Sequence, residues 1–271
     1  MCCAFARIVI VPYMPAQSTP VGQFAERHRR EMIPLSKPFS YFSASLPLTE
    51  EDIREYLEEP IAALPPSILA VLPKVSILLV PYLERAIGRE NGLKPSALVS
   101  LEKPSRDRTS WTSCFVNKEK QEAVLAFALK DQEVADYHYR FYHSLAELMA
   151  DQWSDDARKQ YSALIREELQ ANVHGEVDEV SWHLKQKVTS RPMYARKETK
   201  LFREYVRQSF IDTLTLFLHG ICCDIDVETG PRQLPSRFLR RRLQLLQNLY
   251  ALPSGYALFP EEVAQKQHTK S

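Results

Sequence analysis

Residues 132–153 decide the fold, and they read Gln-Glu-Val-Ala-Asp-Tyr-His-Tyr-Arg-Phe-Tyr-His-Ser-Leu-Ala-Glu-Leu-Met-Ala-Asp-Gln-Trp. The less polar side chains recur every three or four residues, which is the spacing of one face of an α-helix. That face consists of Val134, His138, Phe141, Leu145, Leu148 and Gln152, flanked by Tyr142 and Met149. The opposite face consists of Asp136, Tyr139, Arg140, His143, Glu147 and Asp151. The pattern predicts a helix with one buried face.

His143 and Glu147 are four residues apart on the polar face, so their side chains lie next to each other one turn apart. An imidazole beside a carboxylate is typical of an active-site helix. It is also typical of a plain surface helix, where such a pair stabilises by roughly a few tenths of a kcal/mol. His138 lies on the buried face and is expected to be a core histidine with a hydrogen-bond partner.

Composition indicates a packed protein with no strong overall charge. The chain has 271 residues, of which 45% are hydrophobic and 25% charged, and this length suits one large domain or two small ones. The 35 Lys and Arg nearly cancel the 34 Asp and Glu, so no global field favours nucleic acid or an acidic membrane. Seven glycines against 18 prolines argue against a glycine-rich phosphate loop.

Cysteine usage and hydropathy favour a cytoplasmic protein. The five cysteines include no Cys-x-x-Cys spacing, which indicates reduced thiols rather than a disulfide framework or a zinc ribbon. The beginning of the chain lacks the features of an export signal. The most apolar window, residues 68–83, is interrupted by Pro73, Lys74 and Pro81, so we expect no membrane association.

The first third of the chain is the hardest to interpret. Residues 5–12 are β-branched and predict a strand, whereas residues 13–48, with five prolines, are predicted to be irregular. Thr49 and Asp52 form a capping pattern for a helix over 50–59 that should end at Pro60. Residues 75–83 suit a buried strand or a helix continuing to Arg89, and the helix-like ending with Gly92 as its stop favours the helix.

Strand patterns come next, and helices follow them. Residues 96–102 predict a strand, and residues 110–116 and 123–129 predict a hairpin whose apolar second arm is an inner strand. Beyond residue 153, the sequence predicts helices over 155–172, 176–187, 200–219 and 236–250, with a loop at 224–235.

The predicted fold class is therefore α+β, with an N-terminal mixed β-sheet and an active-site-type helix followed by a C-terminal helical subdomain. Residues 1–131 would form the β-rich part and residues 132–260 the helical part of one integrated domain. Residues 261–271 are expected to be a flexible tail.

A polar stripe runs along the helix predicted at 200–219, although its second half is otherwise apolar. The stripe consists of Glu204, Gln208, Asp212, Thr215 and His219. Buried polar groups need partners, so we expect this stripe to face polar side chains, for which the polar face of helix 132–153 is available.

This order of elements resembles that of the zincin metallopeptidases, in which a mixed sheet ends in a hairpin, a helix follows at the edge of the sheet, and a helical subdomain supplies one more acidic residue. In the gluzincin branch, two histidines and a glutamate hold zinc, and a glutamate next to the first histidine activates water. The family motif His-Glu-x-x-His is similar to the stretch His143-Ser144-Leu145-Ala146-Glu147. The first histidine is kept, but serine replaces the catalytic glutamate and glutamate replaces the second histidine.

A second family pattern, Glu-Tyr-x-x-Glu-x-Phe, is similar to residues 204–210 and puts the weak donor Gln208 at the ligand position. The resemblance covers residues 96–220. It implies that zinc, where bound, would be held by His143 and Glu147 with a residue of helix 200–219, such as Gln208 or His219. The carboxylates available for catalysis or as a further ligand would be Glu176 and Glu204.

Two other clusters are weaker candidates for a functional site. The arginines Arg237, Arg240, Arg241 and Arg242 could bind phosphate or RNA, but the leucine stripe of the same helix favours a solvated face with carboxylate partners. Cys222 and Cys223 end an apolar helix away from the dipole end that lowers the pKa of a thiol, so they are predicted to be structural.

Three functional hypotheses follow. The first is a zincin-like protein with a degenerate metal motif and no required cofactor, which binds a protein or peptide partner. The second is a divergent metal-dependent hydrolase that uses zinc held by His143, Glu147 and a residue of helix 200–219. The third is a phosphate- or RNA-binding protein that works through Arg237–Arg242.

Overall fold

A five-stranded mixed sheet forms the centre of the β-rich part. The computed structural model describes residues 18–44, 47–86, 97–190, 197–222 and 232–259. The central sheet has the strand order β2-β3-β4-β9-β8, and a second, antiparallel sheet has the order β1-β6-β5-β7. The bounds are β1 Thr19–Pro20, β2 Ile33–Pro34, β3 Phe39–Ser43, β4 Lys74–Val80, β5 Tyr82–Glu84, β6 Leu98–Ser100, β7 Thr109–Ser110, β8 Thr112–Asn117 and β9 Glu122–Ala128.

Helices cover the sheet and build the second half of the chain. Their bounds are α1 Val21–Arg27, α2 Glu50–Ile53, α3 Glu59–Ala62, α4 Pro66–Val71, α5 Val134–Gln152, α6 Asp155–Gln170, α7 Glu179–Thr189, α8 Lys200–Cys222 and α9 Ser236–Leu249. A π-helical turn, Arg54–Glu58, joins α2 to α3. The α+β class is confirmed. Within the described ranges, no helix has both the length and the apolar character needed to cross a bilayer.

The strands β3, β4 and β9 are parallel, and β8 returns antiparallel to β9. Side chains alternate between the two faces of the sheet, so β9 contributes to two cores. Leu125 and Phe127 pack on the side of α5, where Phe127 lies against Tyr137 and Phe141 with ring centroids 5.0 and 6.2 Å apart. Val124 and Ala126 pack on the side of α1.

The predicted helix over residues 75–83 is wrong, because this segment forms β4 and continues into β5. Val75, Ile77, Leu78, Leu79 and Val80 are all buried, since β4 lies between two parallel strands and is covered on both faces. Such a strand is apolar throughout and shows no alternation that would distinguish it from a helix.

The prediction that residues 13–48 are irregular is also wrong, because the described part of this range contains α1 and the parallel strand β3. Phe39 and Tyr41 of β3 are buried towards the main core. Proline on both sides of these short elements masked their local pattern. The strand predicted at 5–12, the stop at Gly92 and the tail at 261–271 lie outside the described residues, as does most of the loop 224–235.

The helix predicted over 50–59 passes through Pro60. Thr49 and Asp52 form the predicted capping box. In the π-helical turn the amide of Glu59 donates to the carbonyl of Arg54, five residues back, and in this register the carbonyl of Glu55 faces a proline without N–H. The ring of His138 completes the arrangement, with Nε2 2.8 Å from that carbonyl. His138 is thus a core histidine with a partner, as predicted.

The local predictions in the rest of the chain are confirmed. The hairpin forms β8 and β9, residues 132–153 form α5, and the four later helices are present with ends shifted by a few residues. These elements carry strong local signals, namely alternation, capping residues and an apolar stripe.

Candidate functional site

Helix α8 lies along α5, so the two segments that carry the zincin-like patterns meet. Trp153 at the end of α5 contacts Phe210 with ring centroids 4.4 Å apart, and Tyr139 near its start contacts His219 at 6.1 Å. The two helices are therefore antiparallel. An exposed ion pair between Asp151 and Arg207, 2.6 Å apart, also joins them.

The three motif residues of α5 have different surroundings. His143 and Glu147 are half-buried, and the His143 ring lies 6.3 Å from that of Tyr139. Ser144, which the sequence resemblance matches to the water-activating glutamate of zincins, is only 5% exposed and belongs to the buried side of the helix. This buried serine has no acidic group with which to activate water.

The polar stripe of α8 splits between three environments. Glu204 is exposed. Gln208 is half-buried and donates its amide to Oδ1 of Asp212 at 2.8 Å. Thr215 is buried and donates to the carbonyl of Ile211 in its own helix at 2.8 Å. His219, at the far end, lies against α5, where it contacts the rings of Tyr139 and Tyr142. The expected match with the polar face of α5 is thus present at the Tyr139 end.

Asp212 is the most perturbed group of this stripe. It is 2% exposed, and its Oδ2 atom has no hydrogen-bond partner among the described residues. Burial raises its pKa to about 7, against hydrogen bonds from Ser181 of α7 and from Gln208. Burial also raises the pKa of Tyr139 to about 12, with a smaller contribution from Asp178 and Asp212. Asp212 therefore changes its protonation close to neutral pH.

A second polar site lies on the other side of α8 and is closed to solvent. Arg242 of α9 has no exposed surface and uses its whole guanidinium group. Its Nε and Nη2 donate to Glu168 of α6, at 3.1 and 2.5 Å, and its Nη1 donates to Glu176 at 2.7 Å and to Ser209 of α8 at 2.8 Å. Nη2 also donates to Oε1 of Glu176 at 2.9 Å.

Glu176 is held in this site by its backbone as well as by its side chain. Its N–H donates to the carbonyl of Arg232, and its carbonyl accepts from the N–H of Leu234, just before α9 begins. The preceding residue, Gly175, has a φ of +78°, and a Cβ there would lie 2.1 Å from the carbonyl oxygen of Gln233. Only glycine allows this close approach of the two backbones.

Lys185 and Tyr205 complete the site. Lys185 of α7 is 3% exposed and donates to the carbonyl of Gly175 at 2.7 Å, with Oε1 of Glu176 3.4 Å away. Tyr205 of α8 donates its hydroxyl to the same carboxylate. Two carboxylates thus face two cations in one buried cluster. We call Glu168, Glu176, Lys185, Tyr205 and Arg242 the buried ion cluster.

This environment fixes the charge of Glu176. Burial alone raises the pKa of its carboxyl, but the charge and hydrogen bonds of Arg242, with help from Lys185, outweigh burial and hold the pKa at about 2. Burial lowers the pKa of the Lys185 amine, and the negative charge of Glu176 partly offsets this by raising it. The Glu176 carboxylate is ionised at neutral pH, and its hydrogen bonds and ion pairs stabilise the fold. Because the residue is only 1% exposed, a substrate cannot reach it.

The arginines of α9 do not form one surface. Arg242 is buried in the ion cluster, so its predicted place on an exposed basic face is wrong. Its neighbour Arg241 is exposed and pairs with the carboxylate of Glu167. Arg237 and Arg240 are also exposed and lie over the rings of Phe238 and Phe259. This difference could not be predicted from the local sequence, because Glu176 and Glu168, which pair with Arg242, are 66 and 74 residues away along the chain.

The antiparallel strand β8 ends the central sheet in the described part of the chain. The N–H of Ala128 donates to the carbonyl of Trp111, so every second residue from 111 to 117 bonds to the β9 side. The backbone groups of Thr112, Cys114 and Val116 consequently point away from the sheet. Helix α5 borders this strand, since the guanidinium of Arg140 lies 5.2 Å from the centre of the Trp111 ring.

The edge also carries exposed apolar side chains. Trp111 is 37% exposed, Phe115 38% and Val116 40%. An edge strand with outward backbone groups and exposed apolar side chains is a template for pairing with another extended segment. The sequence predicted the hairpin and its inner second arm, which is β9, and both predictions are confirmed.

The side chains predicted to hold zinc form a poor set of ligands. No three His, Cys, Asp or Glu side chains of the described ranges converge into a group that could hold a metal. The side-chain amide of Gln208 is engaged with Asp212, and Glu176 is engaged in the buried ion cluster. Nothing in this arrangement supports a step through a bound metal.

The buried ion cluster predicts a large difference between two neighbouring arginines. Arg242→Ala leaves two buried carboxylates with one cation fewer and should lower the free energy of unfolding by about 3–5 kcal/mol. Arg241→Ala removes one exposed ion pair and should cost at most about 1 kcal/mol. Urea unfolding of both variants tests this, and equal losses would contradict the assigned role of the cluster.

Asp212 predicts an unusual pH dependence. Its folded pKa is raised above its ordinary value of 3.8, so its contribution to stability is present below about pH 4 and is lost as pH rises to about 7, by up to about 4 kcal/mol. Asp212→Asn should therefore match the parent near pH 4 and be more stable at pH 8. Urea unfolding across this range measures the difference, with the exposed Asp151→Asn as control. Parallel profiles of the parent and Asp212→Asn would refute the assignment.

Known proteins give this chain no relative from which a role could be transferred. No family model matches it. No curated protein matches it, and neither does any solved structure.

Proposed function

We propose that the chain is a zincin-like protein with a degenerate metal motif that binds an extended peptide segment along the edge of β8 that faces away from β9. The order of its elements supports the zincin-like architecture, because the mixed sheet ends in the hairpin β8–β9, α5 follows directly, and the helical half comes last. The changed motif residues Ser144 and Glu147 support a role without peptide hydrolysis.

The edge position of β8 is the observation that carries the proposal. Val116 directs its N–H and C=O groups outward, and Thr112 directs its N–H outward, while the Thr112 carbonyl accepts from Oγ of Ser110 at 3.0 Å. A peptide strand can bond to outward backbone groups of this kind. Recognition of this kind takes affinity from the backbone and specificity from alternate side chains.

The side chains around the edge define the chemistry of the peptide. Val116 and Cys114 point to the side of α5, since they pair with Ala123 and Leu125 of the main core. Phe115 points to the other side, where its ring lies so near α1 that a Cβ added at Gly22 would be 3.2 Å from it. An added strand would place alternate residues on these two apolar surfaces, so the partner is an extended segment with apolar residues at alternating positions.

A proline at the edge tests this proposal. Selection from a display library of random 12-residue peptides should enrich sequences with alternating apolar residues, and the enriched peptides should bind the full chain in fluorescence anisotropy. Val116→Pro removes one outward N–H and leaves the bonds to β9 intact, so peptide affinity should fall about tenfold.

Val116→Ala is the matched control, because it shortens the side chain and keeps the amide. It should weaken binding about threefold or less. No enrichment from the library would refute the proposal. So would enriched peptides that bind the proline variant and the parent equally.

The same proposal predicts that the chain needs no metal. Protein purified without added chelator should contain well under one zinc per chain by elemental analysis, and its melting temperature should not change with EDTA. His143→Ala should behave like the parent in both measurements. One zinc per chain that disappears in His143→Ala would instead establish the metal-dependent hydrolase hypothesis.

A further inference from the structure

A basic cavity lies between the outer face of α6 and the beginning of α8. Its volume is about 670 Å³. In the part of the chain that the structure describes, the charged residues that line it are Arg158, Lys159, Arg166, Glu198 and Arg203. Four cations thus surround the cavity with one carboxylate, which gives the lining a strong positive excess.

The helical repeat of α6 creates this surface. Arg158, Ser162 and Arg166 are spaced by four residues and therefore project from the same side of the helix. The adjacent side, with Tyr161 and Ile165, is fully buried. Ser162, together with Ala163, lines the cavity between the long side chains, and these small residues leave the space that a ligand can occupy.

Arg166 is held in place before any ligand arrives. Its guanidinium lies 4.0 Å from the centre of the Phe202 ring and bonds to Glu198. A stacked and ion-paired arginine loses little conformational freedom on binding an anion. The carboxylate of Glu198 orients the guanidinium and neutralises only one of the four cations.

The remaining cations are available to a ligand. Arg158 pairs with the exposed Asp155 at 2.5 Å, and such surface pairs are weak. Within the described ranges, neither Lys159 nor Arg203 forms an ion pair, and Nη1 of Arg203 donates to the backbone carbonyl of Glu198 at 3.3 Å. Helix α8, 23 residues long, begins at this cavity, where Oγ1 of Thr199 accepts from the N–H of Phe202 at 3.1 Å. The positive end of its dipole adds to the charge of the side chains.

We infer that this cavity binds a small soluble ligand that carries two or more phosphate groups. Arginine, lysine and serine donors around an open space match the oxygens of several phosphates, and the volume exceeds what one phosphate needs. Among the described residues, no aromatic ring lines the cavity for a nucleic-acid base to stack on, because Arg166 covers Phe202, so their chemistry suits a small polyphosphate better than RNA. This site is independent of the β8 edge and of the arginines of α9.

Isothermal titration of the full chain with sodium tripolyphosphate at 0.15 M NaCl tests the inference. One ligand should bind per chain with a dissociation constant below about 0.1 mM. The double variant Lys159→Gln with Arg203→Gln should weaken binding at least about tenfold, since both side chains line the cavity and are exposed. The control Arg237→Gln with Arg241→Gln removes the same charge from the exposed face of α9 and should change affinity about twofold or less.

Three results would overturn the inference. The first is the absence of binding at millimolar tripolyphosphate. The second is an equal loss in both double variants, which would indicate a response to net charge. The third is a single-stranded RNA that binds and depends on Lys159 and Arg203, while tripolyphosphate does not bind. Circular dichroism of both double variants should match the parent, which excludes unfolding as the cause of a loss.

Discussion

The full burial of Arg242 is the constraint on which the helical half depends. An arginine without solvent contact is tolerated only when all its donors are satisfied and its charge is balanced. Glu168 and Glu176 meet both demands, and they come from α6 and from the loop before α7. Lys185 then balances the second carboxylate. Elements that are distant in the sequence must therefore adopt one arrangement, because any other would leave a buried charge without its partner.

Helix α8 connects the buried ion cluster to the rest of the molecule. One side of α8 contributes Tyr205 to the buried ion cluster and Ser209 as a further acceptor for Arg242. Another side packs on α5 through contacts such as that between Phe210 and Trp153. Helix α5 in turn covers the central sheet through Tyr137 and Phe141. The position of α5 beside β8, which defines the proposed peptide-binding edge, thus rests on a sheet core on one side and on α8 on the other.

The sequence predicted those parts of the fold whose signals are local. Alternation marked the hairpin of β8 and β9, and the spacing of apolar residues together with Ser154 as a cap marked α5 and α6. The helix predicted where β4 lies was wrong, because a strand between two parallel neighbours is apolar throughout and shows no alternation. The candidate site was only partly predictable. The stripe on α8 was visible as a pattern, but the partners of Asp212 were not.

Arg242 shows most clearly what could not be predicted from the sequence. In sequence it belongs to a run of exposed arginines, and only its position on the inner side of α9, opposite carboxylates from two other segments, gives it a different role. Long-range pairings of this kind have no local pattern. A search for buried charges in the folded chain identifies them, because each must have a partner.

Hydrogen–deuterium exchange of Arg242→Met, followed by mass spectrometry, tests the central claim most directly. Methionine keeps much of the side-chain volume and removes the charge. We predict faster exchange together in peptides from α6, α7, α8 and α9, while β4 and β9 keep the protection of the parent. Faster exchange confined to α9 would contradict the claim that this one buried arginine holds the helical half together.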